Sequence, residues 1–294
     1  TLALLGSRGV ALTFDRIEAL TAPLLDYVEH RELPGPVAEL RRPAGLRRGL
    51  DSLVDAGVLS RYDGGTEPVW SIADGGHHVA AFYRNGTLHH VVNRAICEVA
   101  LLRASRLTEI ADVEDHGWRE ALAIRDLLKF EFFFADKPTF RDQIDAELQV
   151  LAPDWRTAVS AGRARELLTA APMVLANRAL RSFADAQLVV AERLAERDPR
   201  SAVDRDAFLG ECYDVGRQML LQRRILTPEA VGRELFIAAL DLAANRDLVD
   251  PGRDEVAQRR RAWVEEIEAL RRDLTELHEL DRSREDEATD DDHR

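Results

Sequence analysis

The sequence contains very little lysine and cysteine and no long apolar run. Of its 40 basic residues only Lys129 and Lys137 are lysines, which indicates the arginine bias of a GC-rich coding sequence rather than a site. Two cysteines, Cys97 and Cys212, are too few for a disulfide framework and fit a reducing compartment. No segment approaches the ~20 apolar residues of a membrane-spanning helix, and no signal-peptide pattern is present. We therefore expect a soluble or peripheral chain.

Motifs that would mark a phosphate, metal or nucleophile site are also missing. There is no G-x-x-x-x-G-K-[ST] loop, no G-x-S-x-G elbow, and no His-Glu-x-x-His or Cys-x-x-Cys pair. His78 and His89 would share one face of a helix, but they would stand about 16 Å apart along it, too far for one ion. Cys97 falls on an apolar helical stripe, where a buried thiol is more common than a nucleophile. We predict no metal and no cofactor.

Acidic residues outnumber basic residues by 53 to 40, which gives a net charge of −13 over 294 residues. A phosphate-binding face needs an excess of basic side chains, so this balance argues against a nucleic-acid binder. Apolar residues make up 46% of the chain and charged residues 32%, which is typical of a globular protein. The length fits one large domain or two ordinary ones.

Residues 1–75 combine two helical patterns with a hairpin. Asp15 and Glu18 form a plausible capping box for the first helix, and Gly57 follows the second as a C-terminal cap. Two short β-rich runs then flank a turn that contains two glycines and a proline, which predicts a hairpin. The two runs are Val58–Tyr62 and Val69–Ile72. We expect a small α+β portion that resembles a winged helix.

A winged-helix-like portion could alternatively bind DNA. The arginines that could contact phosphates are Arg41, Arg42, Arg47 and Arg48. Residues 1–80 carry 8 basic and 11 acidic side chains, a net charge of −3, which favours docking to a protein over binding to DNA. A self-contained winged-helix regulator stays open as the alternative function.

From Gly76 onward the pattern is almost entirely helical. Between Leu88 and Leu102, apolar residues recur every three or four positions, as in an amphipathic helix. We predict three further parts: a helical region over 76–245, a long charged helix over 246–280 and a disordered acidic tail over 281–294. One helix of the region should span Trp118–Phe133. The long helix has an apolar stripe at Val256, Trp263, Ile267, Leu270, Leu274 and Leu277. The expected fold class is therefore mainly α, a multi-helix C-terminal region that follows the small α+β portion.

Two segments resemble one enzyme family. The first, residues 82–90 (FYRNGTLHH), places an aromatic pair and an Arg-Asn step before an apolar helix. The second, residues 127–134 (LLKFEFFF), is rich in aromatic residues around a Glu-Phe step. In order and spacing they resemble the region that follows the catalytic domain in glycerol-3-phosphate acyltransferases, most closely the large bacterial membrane-associated type. The similarity covers about residues 2–151 and extends more loosely to about 245.

The catalytic motifs that this resemblance implies are absent from the sequence. In the family, a His-x-x-x-x-Asp pair supplies the general base, which must reach the glycerol hydroxyl. None of the eight histidines here is followed by Asp five positions later: His30, His77, His78, His89, His90, His116, His278 and His293. The Phe-x-Glu-Gly-x-Arg-Ser-Arg block is missing as well. We therefore expect the C-terminal part of such an enzyme, with no catalytic residue and no activity alone.

The signature interface positions that we single out are Phe82, Tyr83, Arg84, Asn85 and His89. We expect Phe82, Tyr83 and Leu88 to be packing residues in a core. Arg84 and Asn85 could brace a neighbouring element, contact the catalytic domain, or meet an anionic ligand or lipid headgroup. In the second segment, the phenylalanines cover more than one helical face, so at least one should meet another domain or a bilayer.

For the whole enzyme, the resemblance implies transfer of a fatty acyl group to the 1-hydroxyl of glycerol 3-phosphate, a step of phospholipid synthesis. The acyl donor would be acyl-CoA or acyl carrier protein. The expected partners are the upstream acyltransferase domain of the same polypeptide and, through peripheral contact, the cytoplasmic face of the cell membrane. No nucleic acid is expected as a partner.

Overall fold

A computed structural model describes residues 2–6, 10–107 and 113–291, with side chains described through Arg282. The chain forms two compact units, Thr1–His90 and Val91–Arg294. The boundary lies inside one long helix and not at residue 75, where the sequence suggested a change of organisation.

The first unit combines short helices with three short strands. In chain order its elements are α1 (Leu2–Gly6), β1 (Leu12–Thr13), α2 (Phe14–His30), α3 (Val37–Leu40), α4 (Pro43–Asp55), β2 (Leu59–Tyr62) and β3 (Val69–Ile72). The strands form an antiparallel sheet in the order β1-β3-β2, in which Trp70 pairs with Leu12 on one side and Arg61 on the other. A hairpin that follows the last of several packed helices is the winged-helix arrangement, so this part of the predicted fold is confirmed.

The end of α4 follows the sequence prediction closely. Gly57 has φ of +69°, a left-handed conformation that residues with a Cβ rarely adopt. Its N–H donates to Val54 O at 2.9 Å, and the N–H of Val58 donates to Leu53 O at 2.9 Å. These are the two bonds of a Schellman motif, which satisfies the last carbonyls of the helix.

The start of α2 differs from its prediction. Thr13, not Asp15, caps the helix, and its Oγ1 accepts a hydrogen bond from Arg16 N at 3.3 Å. Thr13 also ends β1, so the passage from strand to helix fixes where α2 begins. The predicted capping box is therefore wrong, and β1 was not predicted because two residues cannot show the alternation of a strand.

The core of the first unit lies between the sheet and its helices. Trp70 is 1% exposed and meets the Phe14 ring edge-on, with 6.3 Å between ring centroids. Leu50 of α4 and Val58 are buried in the same cluster. Ala80, in the first turn of α5 (His77–Ala104), also belongs to it. The start of α5 therefore completes this core, which is why the unit extends past residue 75.

The second unit is built from helices. After α5 these are α6 (Val113–Leu128), α7 (Lys137–Leu151), α8 (Trp155–Ser160), α9 (Ala164–Ala170), α10 (Ala176–Glu196), α11 (Arg205–Leu221), α12 (Arg233–Asn245) and α13 (Val256–Asp291), with a 3-10 turn at Pro228–Ala230. Helix α10 is buried along most of its length and packs against α11, α12 and α13. Taken together, the described residues form a mainly α protein, as expected.

Helix α13 confirms the apolar stripe predicted for the long charged helix. Its buried positions include Val256, Trp263, Ile267, Leu270, Leu274 and Leu277. Its start differs from the prediction, because Pro251 and Gly252 keep the residues before Val256 out of the helix. Gly252 has a φ of +71°, a left-handed conformation. The helix is described through Asp291, and the disordered acidic tail expected over 281–294 stays a prediction. Residues 292–294 of that tail lie outside the described part.

Buried carboxylates connect the helices of the second unit. Glu98 of α5 is fully buried and accepts hydrogen bonds from Leu175 N at 2.8 Å, Ala176 N at 2.7 Å and Arg94 Nε at 2.8 Å. Leu175 is the N-cap residue of α10. Glu98 therefore satisfies N–H groups at a helix start that would otherwise be buried without partners.

Asp185, in the middle of α10, plays a similar role. It accepts hydrogen bonds from Arg181 Nε at 3.0 Å and Arg271 Nε at 2.8 Å. It also accepts from Leu226 N at 3.0 Å and Thr227 Oγ1 at 2.9 Å. One carboxylate thus fastens α13 and the segment before the 3-10 turn to the central helix.

Candidate functional site

The first part of α5 exposes an apolar surface, which we call the α5 face: Val79, Phe82 and Tyr83. The three side chains are 48%, 76% and 49% exposed. They occupy positions i, i+3 and i+4, so they lie together on one side of the helix. The Phe82 and Tyr83 rings meet edge-on with 6.1 Å between centroids. The expectation that Phe82 and Tyr83 pack into a core of this chain is therefore wrong.

The opposite side of the same helical turns is buried. Ala80 and Leu88 are at most 1% exposed, and Arg84 is 3% exposed. The Arg84 guanidinium donates to Asn85 Oδ1 from Nε at 3.3 Å and from Nη2 at 3.1 Å, and Thr87 Oγ1 donates to Arg84 O at 2.8 Å. A buried guanidinium held in this way fits the bracing role among the alternatives for Arg84, because it is not accessible to an anionic ligand in solution.

Two histidines follow the α5 face. The His89 ring is exposed and lies 3.7 Å, centroid to centroid, from the ring of half-buried His90. Tyr27 Oη donates to His90 O at 3.1 Å and so ties α2 to α5 within the first unit. Burial, and secondarily the neighbouring His89, lowers the pKa of His90. The imidazole of His90 is therefore harder to protonate than a solvated imidazole.

The second family-like segment is not a helix beyond Leu128. The sequence predicted that α6 would run to Phe133, but the chain leaves the helix and forms a loop over residues 129–136, which we call the aromatic loop. Phe132 packs edge-on against Phe183 at 5.1 Å, and Phe134 packs against Phe140 at 5.5 Å between centroids. Alternate phenylalanines therefore point inward, which is an extended and not a helical pattern.

The remaining aromatic side chains of the loop point outward. Phe133 is fully exposed, and Phe130 is 43% exposed. Between them, burial raises the pKa of Glu131 to about 8. The expectation that at least one phenylalanine of this segment is not covered by the core of the chain is confirmed.

Neither thiol is suited to nucleophilic chemistry. Cys97 and Cys212 are fully buried. Burial raises the pKa of Cys97 well above its usual range and that of Cys212 to about 12. Cys97 Sγ lies 3.6 Å from Ile144 O and donates to it. A thiolate is the reactive form, so these cysteines act as small apolar residues.

Two of the four arginines that could contact DNA, Arg41 and Arg48, are engaged by carboxylates. Arg41 Nη2 lies 2.7 Å from Asp26 Oδ1 and 2.6 Å from Glu29 Oε2. Arg48 pairs with Glu39, and the Arg47 guanidinium stacks over the Phe14 ring at 3.6 Å. Two of the four arginines are thus already paired with carboxylates, which leaves less positive charge on this surface for a phosphate backbone.

Metal-binding clusters and membrane-spanning helices are both absent from the described residues. Across the described residues, no group of three or more His, Cys, Asp or Glu side chains is arranged to hold a metal ion. Within the same described residues, no helix is both long and apolar enough to cross a membrane.

Comparison with known proteins agrees with the two signature segments. A model of the "Glycerol-3-phosphate acyltransferase C-terminal region" matches residues 1–252. Curated relatives named "Putative acyltransferase plsB1", from Mycobacterium bovis and from Mycobacterium tuberculosis, are 40% identical over 288 residues. The match covers 96% of this chain and 46% of each relative.

The fold is thus that of a mainly helical chain with a winged-helix-like first unit. The chain belongs to the glycerol-3-phosphate acyltransferase family, of which it represents the C-terminal region. It spans a little under half the length of the curated relatives that it matches. Both signature segments lie inside the matched residues. Val79 was not among the predicted interface positions, although its spacing from Phe82 and Tyr83 could have revealed it.

Proposed function

We propose that this chain is the non-catalytic C-terminal region of a glycerol-3-phosphate 1-O-acyltransferase. We also propose that the α5 face is the surface on which the acyltransferase domain of the same polypeptide docks. The whole enzyme would transfer a fatty acyl group from acyl-CoA or acyl carrier protein to glycerol 3-phosphate, in phospholipid synthesis at the cytoplasmic face of the membrane. Family membership and the absence of a His-x-x-x-x-Asp pair from the sequence support this assignment.

The observation that carries the proposal is the exposure of the α5 face within a signature segment. Exposed aromatic side chains that sit side by side are unfavourable in water and are typical of an interaction surface. The segment 75–97 contains no carboxylate, although the chain has 53 acidic residues. An apolar surface without exposed acidic charge suits a permanent contact with another protein domain, because few charges have to be desolvated there.

The rest of the segment supports that surface rigidly. The buried guanidinium of Arg84 and the buried side chain of Leu88 fix the helix in the first unit. The exposed Phe82 and Tyr83 side chains are therefore already positioned before a partner binds. A surface that is ordered in advance loses less conformational entropy on docking.

The test uses the full-length enzyme with Phe82→Ser and Tyr83→Ser combined, assayed for acyl transfer to glycerol 3-phosphate. We expect at least a tenfold loss of kcat/KM, because truncating central aromatic residues at an interface costs on the order of 2 kcal/mol or more. Tyr62→Ser is the matched control, since Tyr62 is 64% exposed in the hairpin of the same unit. Wild-type activity in the double variant would contradict docking at the α5 face.

The non-catalytic assignment is tested separately with the isolated 294-residue chain. We expect no acyl transfer above background from acyl-CoA or acyl carrier protein, because no general base of the family pattern is present. Turnover by the purified chain, absent from a preparation heated to denaturation, would show that this region has its own catalytic residues.

The winged-helix topology of the first unit favours one second candidate, a DNA-binding regulator. Arg41 and Arg48 pair with carboxylates, and residues 1–80 have a net charge of −3. We therefore expect no duplex binding in a mobility-shift assay at physiological salt. Sub-micromolar, sequence-dependent binding would favour the regulator instead.

A further inference from the structure

The aromatic loop combines exposed rings with exposed positive charge. Phe130 and Phe133 stand in the sequence between Lys129 and Lys137, which are the two lysines of the chain. Both lysines are exposed, and the Lys129 Nζ lies 5.9 Å from the centre of the Phe130 ring. The α5 face has no comparable exposed cation, since Arg84 is buried.

The loop is held firmly although its tip is exposed. Phe132 and Phe134 anchor it in the second unit through their contacts with Phe183 and Phe140. Arg125 Nη2 donates to Ala135 O at 2.8 Å and so fixes the second half of the loop. The two outward rings are therefore presented by a supported backbone, which reduces the entropy lost on binding.

The local charge differs from that of the chain as a whole. The chain carries a net charge of −13, so an anionic surface repels most of it. In the loop, Glu131 has its pKa raised to about 8 by burial, and its carboxyl is mostly protonated at pH 7. Asp136 accepts a hydrogen bond from Thr139 N at 3.0 Å as the N-cap of α7. Hydrogen bonds from Thr139 lower the pKa of Asp136, so this exposed carboxylate keeps its negative charge. Segment 129–137 thus carries two lysine charges against one carboxylate charge, next to the two exposed rings.

We infer that the aromatic loop is the part of this chain that binds an anionic lipid surface. Phe130 and Phe133 enter the boundary between headgroups and acyl chains, while Lys129 and Lys137 keep their ammonium groups at the lipid phosphates. This inference rests on the peripheral membrane contact included in the proposed function and assigns that contact to specific residues. A protein surface as the partner would call for carboxylates facing the two lysines, which is the competing outcome in the test.

The experiment is flotation of the 294-residue chain with phosphatidylcholine vesicles, with or without phosphatidylglycerol. We expect binding only when phosphatidylglycerol is present. Phe133→Ser should weaken it about tenfold, because a phenylalanine ring leaves the interface. The double variant Lys129→Gln and Lys137→Gln should weaken it by at least about fivefold and reduce its dependence on salt. Leu221→Ser is the matched control, since Leu221 is 86% exposed on α11 of the same unit, and it should change nothing.

Three results would overturn the inference: no binding of the wild-type chain to anionic vesicles, equal binding to both vesicle types, or Phe133→Ser and Leu221→Ser behaving alike. A Phe133→Ser enzyme that floats normally but loses acyl transfer in detergent would instead assign the loop to a protein contact. Phe82→Ser should leave flotation unchanged. Failure of the α5 face as a docking surface is therefore distinguishable from failure of the loop as a lipid contact.

Discussion

The two units of the chain differ in the charged groups that they bury. In the first unit, the described ion pairs of Arg41, Arg48 and Arg61 lie at the surface, with at least one partner of each pair well exposed. In the second unit, the ion pairs around Glu98 and Asp185 are buried between helices. The core cluster of the first unit around Trp70 is apolar, and the buried guanidinium of Arg84 lies outside that cluster, whereas the second unit buries carboxylates between its helices.

The difference shows how much each unit depends on single residues. Exposed ion pairs contribute little, because water already solvates both charges. A buried carboxylate is different, because removing it leaves cations and N–H groups buried without a partner. The second unit should therefore be sensitive to the loss of a single buried carboxylate, whereas the loss of a surface ion pair should change the stability of the first unit little.

Glu98→Ala should produce the largest effect. It leaves Arg94 and the N–H groups of Leu175 and Ala176 without their shared acceptor. We expect the second unit to lose about 3–5 kcal/mol of unfolding free energy, measured by urea denaturation. Glu29→Ala, which removes an exposed partner of Arg41, is the control and should change the transition little. A small effect of Glu98→Ala would show that burial of the charge does not distinguish the units.

Gly45→Ala tests whether the first unit is sensitive to packing instead of charge. A Cβ at Gly45 would stand 2.0 Å from Glu39 O, a backbone atom that cannot move aside alone. We expect a loss of about 1–3 kcal/mol from the resulting shift of α3 against α4. Gly49→Ala on the same helix meets Leu40 Cδ2 at 3.7 Å, an ordinary contact, and should be neutral or slightly stabilising. Equal stability of the two variants in urea would contradict the close approach at Gly45.

Glu131→Gln should remove a pH dependence from the second unit. The pKa of this carboxyl is raised from 4.5 to about 8, so the unfolded chain releases the proton at lower pH than the folded chain does. Stability due to this group is therefore lost as the pH rises from about 4.5 to 8, and the loss levels off above 8. Because the side chain is partly exposed, we expect Glu131→Gln to gain only about 1–2 kcal/mol at pH 8 and nothing at pH 4. The same difference in melting temperature between wild type and Glu131→Gln at pH 4 and at pH 8 would refute the raised pKa.

Arg41→Ala should have the smallest effect of the four. Its carboxylate partners, Asp26 and Glu29, are about two-thirds exposed. Both remain solvated after the substitution, so the melting temperature should hardly change, in low salt as in high salt. A clear loss of stability would mean that surface ion pairs matter to the first unit more than its apolar core suggests.

The local features of the first unit could largely be predicted from the sequence. The hairpin strands and the glycine cap of α4 follow from turn chemistry and from the conformational freedom of Gly57, which act over a few residues. The short strand β1 could not be predicted from the sequence, because it is defined only by its pairing with β3, more than fifty residues away. The predicted start of α2 was wrong for the same reason, since its N-cap residue, Thr13, is the last residue of β1.

The candidate site was predictable only in part. The segments 82–90 and 127–134 were recognisable from residue order, but not which of their side chains would be exposed. Phe82 and Phe132 have similar apolar surroundings in the sequence, yet one faces solvent and the other packs on Phe183. Whether a ring is covered depends on where α10 runs, and no local pattern contains that information.

The sequence alone determined the mainly helical class, the apolar stripe of α13, the absence of the family's catalytic motif and the family to which the chain belongs. Only the tertiary structure decided which aromatic residues form the α5 face and the tip of the aromatic loop, and which carboxylates are buried. The physical reason is that helical periodicity fixes which residues share a face, whereas burial is decided by distant elements. Arg103 and Asp273, which join α5 to α13 at 2.7 Å, are 170 residues apart in the chain.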